Sequence, residues 1–343
     1  MIGTMKRLTL LLCALLMCLS ACGSQESDAL ASLAPGEEHR LTVYTSHKEE
    51  VYGPIVKEFE ERTGIWVTVV TGGTNELLER IHSEGDRPEC DVMFGGGVES
   101  LMQYETDFEP YTCSEADQIQ PGLRPAGDAW APFSSLPVVL IYNTRLVSED
   151  QLTGWADLLD PRWKGKIAFA DPSVSGSGYT AVMAMLVALG GDEADLLEQF
   201  ADNLDGKILM DSGDVVGAVS SGECSVGITL EETAVKRRSQ GASIGIVYPV
   251  EGTSNLPDGT ALIANAPHRD NAVAFLEFVQ SADVQELVVS DFSRRTVRID
   301  VADMDFLPPM SQVSLVDYPI EQAAAEKERF LQLWRELNRE KTP

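Results

Sequence analysis

From residue 41 onward, short runs of β-branched and aromatic residues alternate with longer stretches whose apolar positions recur every three or four residues. That alternation predicts an α/β fold built on a largely parallel sheet. Leu41 to Thr45 reads as a strand, and Val51, Ile55, Val56 and Phe59 then fall on one helical face until Gly64 stops it. Ile65 to Val70 is a second strand. Gly72-Gly73 turns the chain into a helix with Thr74 as its candidate N-cap, Glu76 in its first turn and Leu77, Leu78 and Ile81 on its buried face. Asp91 to Phe94 is a third strand, running into Gly95-Gly96-Gly97.

A second set of elements begins near Asn143. Ile167 to Ala170 reads as a strand, Gly178 to Leu189 as a buried helix, Ser225 to Thr229 as a strand and Glu232 to Gln240 as a polar helix followed by Ile244 to Val247. Around Gly259 the pattern returns to a strand, Thr260 to Ala264, then to helices over His268 to Gln280 and Asp283 to Val289. Late sequence is thus expected to complete the first lobe, with a last helix carrying Phe330, Trp334 and Leu337 laid across it. Two lobes also follow from length, since roughly 300 residues beyond the leader is twice the usual size of one core.

The leader is a separate matter. Lys6 and Arg7 precede an apolar run from Leu8 to Ser20, shorter than the roughly 20 residues a spanning helix needs, so residues 1–21 read as a signal peptide. Leu19-Ser20-Ala21-Cys22 resembles a bacterial lipobox, which makes Cys22 the acylated first residue of the mature chain. Residues 22–38, rich in small and acidic side chains, read as a flexible tether.

Formal charge is −28, and losing Lys6 and Arg7 leaves −30. A chain this acidic repels nucleic acid and anionic headgroups, so neither is expected as a partner. Beyond the leader and Cys22 three cysteines remain, without metal-site spacing. One disulfide, Cys90 with Cys113, and buried free thiols are both open. The four histidines stand apart at 39, 47, 82 and 268, with no nucleophile and base pattern and no His-Glu-x-x-His, so an enzyme is not expected.

Six segments carry a family likeness: Leu41-Thr-Val-Tyr-Thr-Ser-His-Lys-Glu49, Phe59-Glu-Glu-Arg-Thr-Gly64, Asp91-Val-Met-Phe-Gly-Gly96, Pro137-Val-Val-Leu-Ile-Tyr-Asn143, Asp157-Leu-Leu-Asp-Pro-Arg-Trp-Lys-Gly-Lys-Ile167 and Asp171-Pro-Ser-Val-Ser-Gly-Ser-Gly178. In this order they resemble periplasmic binding proteins of the type II fold, in the branch of ferric-ion-, 2-aminoethylphosphonate- and hexose-phosphate-binding proteins. The resemblance implies two α/β lobes, 39–140 with 260–343 and 141–259, joined by two crossovers near 139–144 and 250–260 and closing on a solute. It also implies a monomer without cofactor, served by an ABC permease and its ATPase. A sensory receptor of the same fold is the other role open to such a chain.

The ferric branch fits poorly residue by residue. Its histidine aligns with His47, one residue closer to Tyr44, but its glutamate falls at Gly96 and its tyrosine pair near Glu231 and Glu232. Hard oxygen ligands for iron are therefore missing. Three Gly-rich turns before helices, 72–74, 95–97 and 173–178, suit an oxyanion held by backbone N–H groups and hydroxyls. The expected contacts are Ser46, His47, Thr74, Gly96, Gly97, Ser175, Gly176, Ser177 and Gly178, with Arg294 or Arg295 as the charged clamp and Glu231 or Glu232 toward the solute's other end. Tyr179 and Trp130 are candidates to stack on an apolar face. A phosphorylated or phosphonylated organic solute is the expected ligand; ferric ion, a polyamine or thiamine are the alternatives.

Overall fold

Alternation of apolar positions commits Arg40–Thr45 to strand β1, and helical spacing over Glu49–Thr63 buries Val51, Ile55, Val56 and Phe59 as one face of α1. Strand β2 (Trp66–Thr71), helix α2 (Thr74–Glu84), strand β3 (Val92–Gly97) and the short α3 (Val98–Gln103) follow. This is a computed structural model that describes residues 35–125 and 127–339. The expected signal peptide, Cys22 and most of the tether lie outside the described residues.

Strand β4 (Ala131–Asn143) is long enough to serve both lobes. Beyond it come β5 (Ile167–Ala168), α4 (Gly176–Leu189), α5 (Glu193–Leu204), α6 (Val215–Ser221), β6 (Val226–Leu230), α7 (Glu231–Ser239) and β7 (Ile244–Val247). The chain then returns through β8 (Asn255–Leu262), α8 (Arg269–Gln280), α9 (Ala282–Ser290) and β9 (Arg295–Thr296), and closes with α10 (Ile320–Asn338).

The strands run in the order β2-β1-β3-β8-β4-β6-β5, with β7 and β9 also paired to β4. β1 is parallel to β2 and β3, and β5 is parallel to β6. β8 is antiparallel to both neighbours, because β4 leaves the first lobe while β8 comes back into it. The register of β4 locates the seam between lobes: Ala131 to Pro137 pair with β8, and Val138 to Tyr142 pair with β6.

Each lobe buries an apolar layer on both sheet faces. In the first, Phe59, Phe94, Phe133 and Phe275 form one layer and Leu78, Met93, Leu101 and Trp130 the other. In the second, Trp155, Phe169 and Phe200 form one layer and Val139, Ile141 and Val216 the other. Cys90 and Cys113 sit in the two opposite layers of the first lobe, so the disulfide does not form; both are buried free thiols, as is Cys224.

The last helix touches both lobes. Phe330 and Trp334 pack with Phe169, Phe200 and Tyr179 in the second core, while the helix's first half lies against the first lobe, where Gln103 Nε2 donates to Ala324 O at 2.9 Å and Lys327 Nζ to Ser100 Oγ at 2.8 Å. To reach the second core, the chain passes between the lobes once more at residues 313–319, held by Thr253 N to Ser314 O and Val316 N to Thr253 O, both 2.9 Å.

Candidate functional site

The ends of β1, β3 and β6 and the starts of α2, α3, α4 and α7 converge on one cleft of about 860 Å³ between the lobes. An open α/β sheet presents its ligand crevice at such strand ends. On the first lobe Thr45 fixes the turn after β1: its hydroxyl donates to Phe94 O (2.7 Å) and accepts from His47 N (3.1 Å), leaving Ser46 and His47 at the cleft wall. Glycine is required opposite them. At Gly95 (φ +97) a Cβ would stand 2.8 Å from His47 Nε2, and at Gly96 (φ +108) 2.7 Å from Thr74 Cγ2. These close approaches pack the end of β3 against the start of α2.

Thr74 is the first residue of α2 rather than its N-cap; Gly73 holds that position and Glu76 reaches back to its N–H. On the second lobe Ser175 is the N-cap of α4. Its Oγ accepts from Gly178 N (3.1 Å) and shares a hydrogen bond with Ser177 Oγ (3.1 Å). Ser46, His47, Thr74, Gly96, Gly97, Ser175, Gly176 and Ser177 all line the cleft. Gly178 does not: it is glycine for packing, since a Cβ there would meet Ala170 O at 2.5 Å.

The charged expectations separate by one residue. Arg294 and Glu232 line the cleft. Arg295 and Glu231, each 1% exposed, turn away from it and pair bidentately at 2.7 and 2.8 Å. Tyr248 also donates to Glu231, and Asp303 and Pro308 O take further Arg295 N–H groups. Burial pulls the Arg295 pKa down, and the Glu231 hydrogen bonds and charge more than reverse it. Arg295 is thus a structural ion rather than a clamp for the solute. Tyr179 and Trp130 are also committed elsewhere: Tyr179 OH donates to Ala323 O (2.5 Å) within the second core, and Trp130 is buried in the first.

At the cleft floor Asp258 accepts from Ser134 N and Oγ, both 2.8 Å, and from Arg294 Nη1 at 2.8 Å. Burial raises the Asp258 pKa, opposed by Arg294 and Ser134. His47 Nε2 lies 3.6 Å from Asp258 Oδ2. Burial, with the Arg294 charge, holds the His47 pKa well below its ordinary value, so the ring is neutral and this contact is polar rather than ionic.

Several residues at the cleft escaped the sequence reading. Lys236 of α7 pairs with Glu50 of α1 at 2.5 Å across the mouth. Glu99 of α3 accepts from Thr180 of α4 at 2.8 Å. A Cβ on Gly213 would lie 3.5 Å from Lys48 Nζ. None of these stands in a Gly-rich turn, in the arginine cluster or at a position matched to a ligand of the ferric branch, the signals that drew attention to the others. A second cavity of about 490 Å³ lies beside Asp171, Trp334 and Asn338, apart from these turns.

Comparison with known proteins adds three findings. The family described as "Bacterial extracellular solute-binding protein" matches residues 41–292. Iron uptake protein A1 of Synechocystis sp. is 29% identical over 80% of this chain and 79% of its own, and the Fe(3+)-binding periplasmic protein of Serratia marcescens 24% identical over 77% and 76%. Among solved structures, the periplasmic binding protein AfuA of Actinobacillus pleuropneumoniae with fructose-6-phosphate bound superposes with a TM-score of 0.79. It is 24% identical and covers 88% of this chain and 98% of its own, which establishes a common fold.

Proposed function

The chain belongs to the bacterial extracellular solute-binding proteins, and from that membership we propose that it is the receptor of an ABC importer, taking a small phosphorylated or phosphonylated organic solute. It is a binding protein, not an enzyme. In this proposal it acts as a monomer, is held at the membrane by lipid on Cys22, and delivers its solute to a permease and ATPase. The lobes that close on the solute are 39–140 with 260–312, and 141–259 with α10.

The observation that carries the ligand class is the pairing of two helix N-termini, α2 from one lobe and α4 from the other, on a single cleft with Thr74, Ser175 and Ser177 beside them. Orphan N–H groups and hydroxyls converging from two sides suit an oxyanion. A buried oxyanion needs several donors at once, and Arg294 replaces Arg295 as the guanidinium within reach. A solute that touches both lobes favours the closed form through those differential contacts. Iron, which the names of two relatives suggest, is supported less well, because no tyrosine lines the cleft and no grouping of three or more His, Cys, Asp or Glu suited to a metal occurs among the described residues.

The test is a thermal-shift screen of sugar phosphates, aminoalkylphosphonates, polyamines, thiamine and ferric citrate, followed by calorimetry. A phosphorylated or phosphonylated compound should raise the melting temperature, and Ser177→Ala should weaken its binding by about 1 kcal/mol, the worth of one hydrogen bond. A response confined to polyamines or thiamine, or a visible charge-transfer band with ferric citrate, would show the anion reading to be wrong.

A further inference from the structure

Glu99 is a carboxylate that the fold buries and then leaves half used. It is 3% exposed, on α3 directly after the second Gly-rich turn, 95–97. Both hydrogen bonds it receives go to the same oxygen: Thr180 Oγ1 and Tyr318 OH each donate to Oε1 at 2.8 Å. Those donors come from α4 and from the segment that crosses between the lobes before α10, so Oε1 is locked from two directions. Oε2 accepts no hydrogen bond from the described residues and stands 3.2 Å from where a Cβ on Gly97 would project, on the cleft wall. Lys327, which feels the Glu99 charge, gives its own hydrogen bond to Ser100 Oγ at 2.8 Å.

A carboxylate has room for about four donors, and Oε2, which is not among the fully buried atoms without a partner, opens to the cleft space where a solute would sit. The cleft's other buried carboxylate, Asp258, is satisfied on both oxygens. Of these two buried carboxylates in the cleft lining, only Glu99 keeps an oxygen, Oε2, that receives no hydrogen bond from the described residues. A bare oxyanion against it would suffer like-charge repulsion, whereas a hydroxyl or ammonium group would be bound.

We infer that Glu99 Oε2 accepts a hydrogen bond from the solute's uncharged or cationic end, so that the cleft selects anions carrying a hydroxyl or ammonium donor over the same anion without one. This rests on the phosphoryl or phosphonyl reading for the solute's other end. Glu99 is then the specificity-determining residue of the site, held in place by Thr180 and Tyr318.

The experiment is calorimetric titration of the full mature chain and of Glu99→Gln with fructose 6-phosphate, 2-aminoethylphosphonate, methylphosphonate and fructose. Glutamine keeps a carbonyl oxygen for Thr180 and Tyr318 and replaces Oε2 with a donor. Wild type should bind a donor-bearing anion at least about tenfold tighter than methylphosphonate, the worth of one charge-assisted hydrogen bond. Glu99→Gln should erase that preference by weakening the donor-bearing anions, while methylphosphonate, relieved of the carboxylate's repulsion, binds at least as well as to wild type. Thr180→Val, which removes a clamp on Glu99 but not its carboxylate, should keep the preference, separating recognition from a general loss of structure. If fructose outbinds the phosphorylated compounds and Glu99→Gln abolishes its binding, the role of Glu99 stands and the phosphoryl reading falls. An unchanged preference in Glu99→Gln, or no preference in wild type, overturns the inference. Absence of binding to all four compounds at about 1 mM, a standard free energy of only about 4 kcal/mol, overturns both.

Discussion

Adjacent residues at the cleft have opposite fates, and that is where sequence reasoning stops. Arg294 and Arg295 are equivalent in composition, as are Glu231 and Glu232, but β9 is paired to β4 through Arg295 and presents successive side chains to opposite faces. Only the register of that pairing decides which arginine faces the cleft. The Gly-rich turns were legible because glycine and serine before a helix have a local meaning; Glu99 was not, because its role depends on Thr180 and Tyr318, 81 and 219 residues away. The buried Arg295–Glu231 pair gives a stability prediction rather than a binding one. Removing one partner strands the other charge, so Arg295→Ala should destabilise by about 3–5 kcal/mol, measured as a fall in urea midpoint. Solute affinity of the remaining folded protein should stay near wild type, and a large loss of affinity with normal stability would contradict the assignment.

At the scale of elements, the strands and helices around the first lobe follow their predicted bounds closely, since each carries a strong period and the helices α1 and α2 a Gly stop. β8 is longer than its pattern suggested, beginning at Asn255 rather than Thr260, because its first residues pair with β4 in the seam and need no alternation of their own. The destination of α10 was not readable. An apolar stripe says that a helix is buried on one side, not against what. Trp334 is 1% exposed, its ring lies 5.9 Å from Phe169, and its Nε1 donates to Asp171 Oδ1 at 3.1 Å. Trp334→Ala should therefore cost about 3–5 kcal/mol, whereas Leu337→Ala, at a half-buried position, should cost clearly less. Equal effects in urea denaturation would show that α10 does not complete the second core.

The whole molecule combines an acidic body, two lobes and a leader whose ending predicts a lipid anchor. Mass spectrometry of the N-terminal peptide from native membranes should find diacyl- or triacylglyceryl Cys22, and Cys22→Ser should release the protein, because a tether without acyl chains has no apolar area to bury. An unmodified N-terminus downstream of residue 22 would remove the anchor. The path of the chain through the lobes also governs its biosynthesis. The first sheet cannot assemble around β3 and β4 until β8 arrives to lie between them, and the second core lacks Tyr318, Phe330 and Trp334 until α10 arrives. At about 5–20 residues per second, the ribosome takes on the order of tens of seconds to travel from the leader to Trp334. Neither lobe can close until β8 emerges, and the second stays incomplete until α10 does, so a leader that acts as the predicted signal peptide would meet the export machinery ahead of a chain that is still threadable.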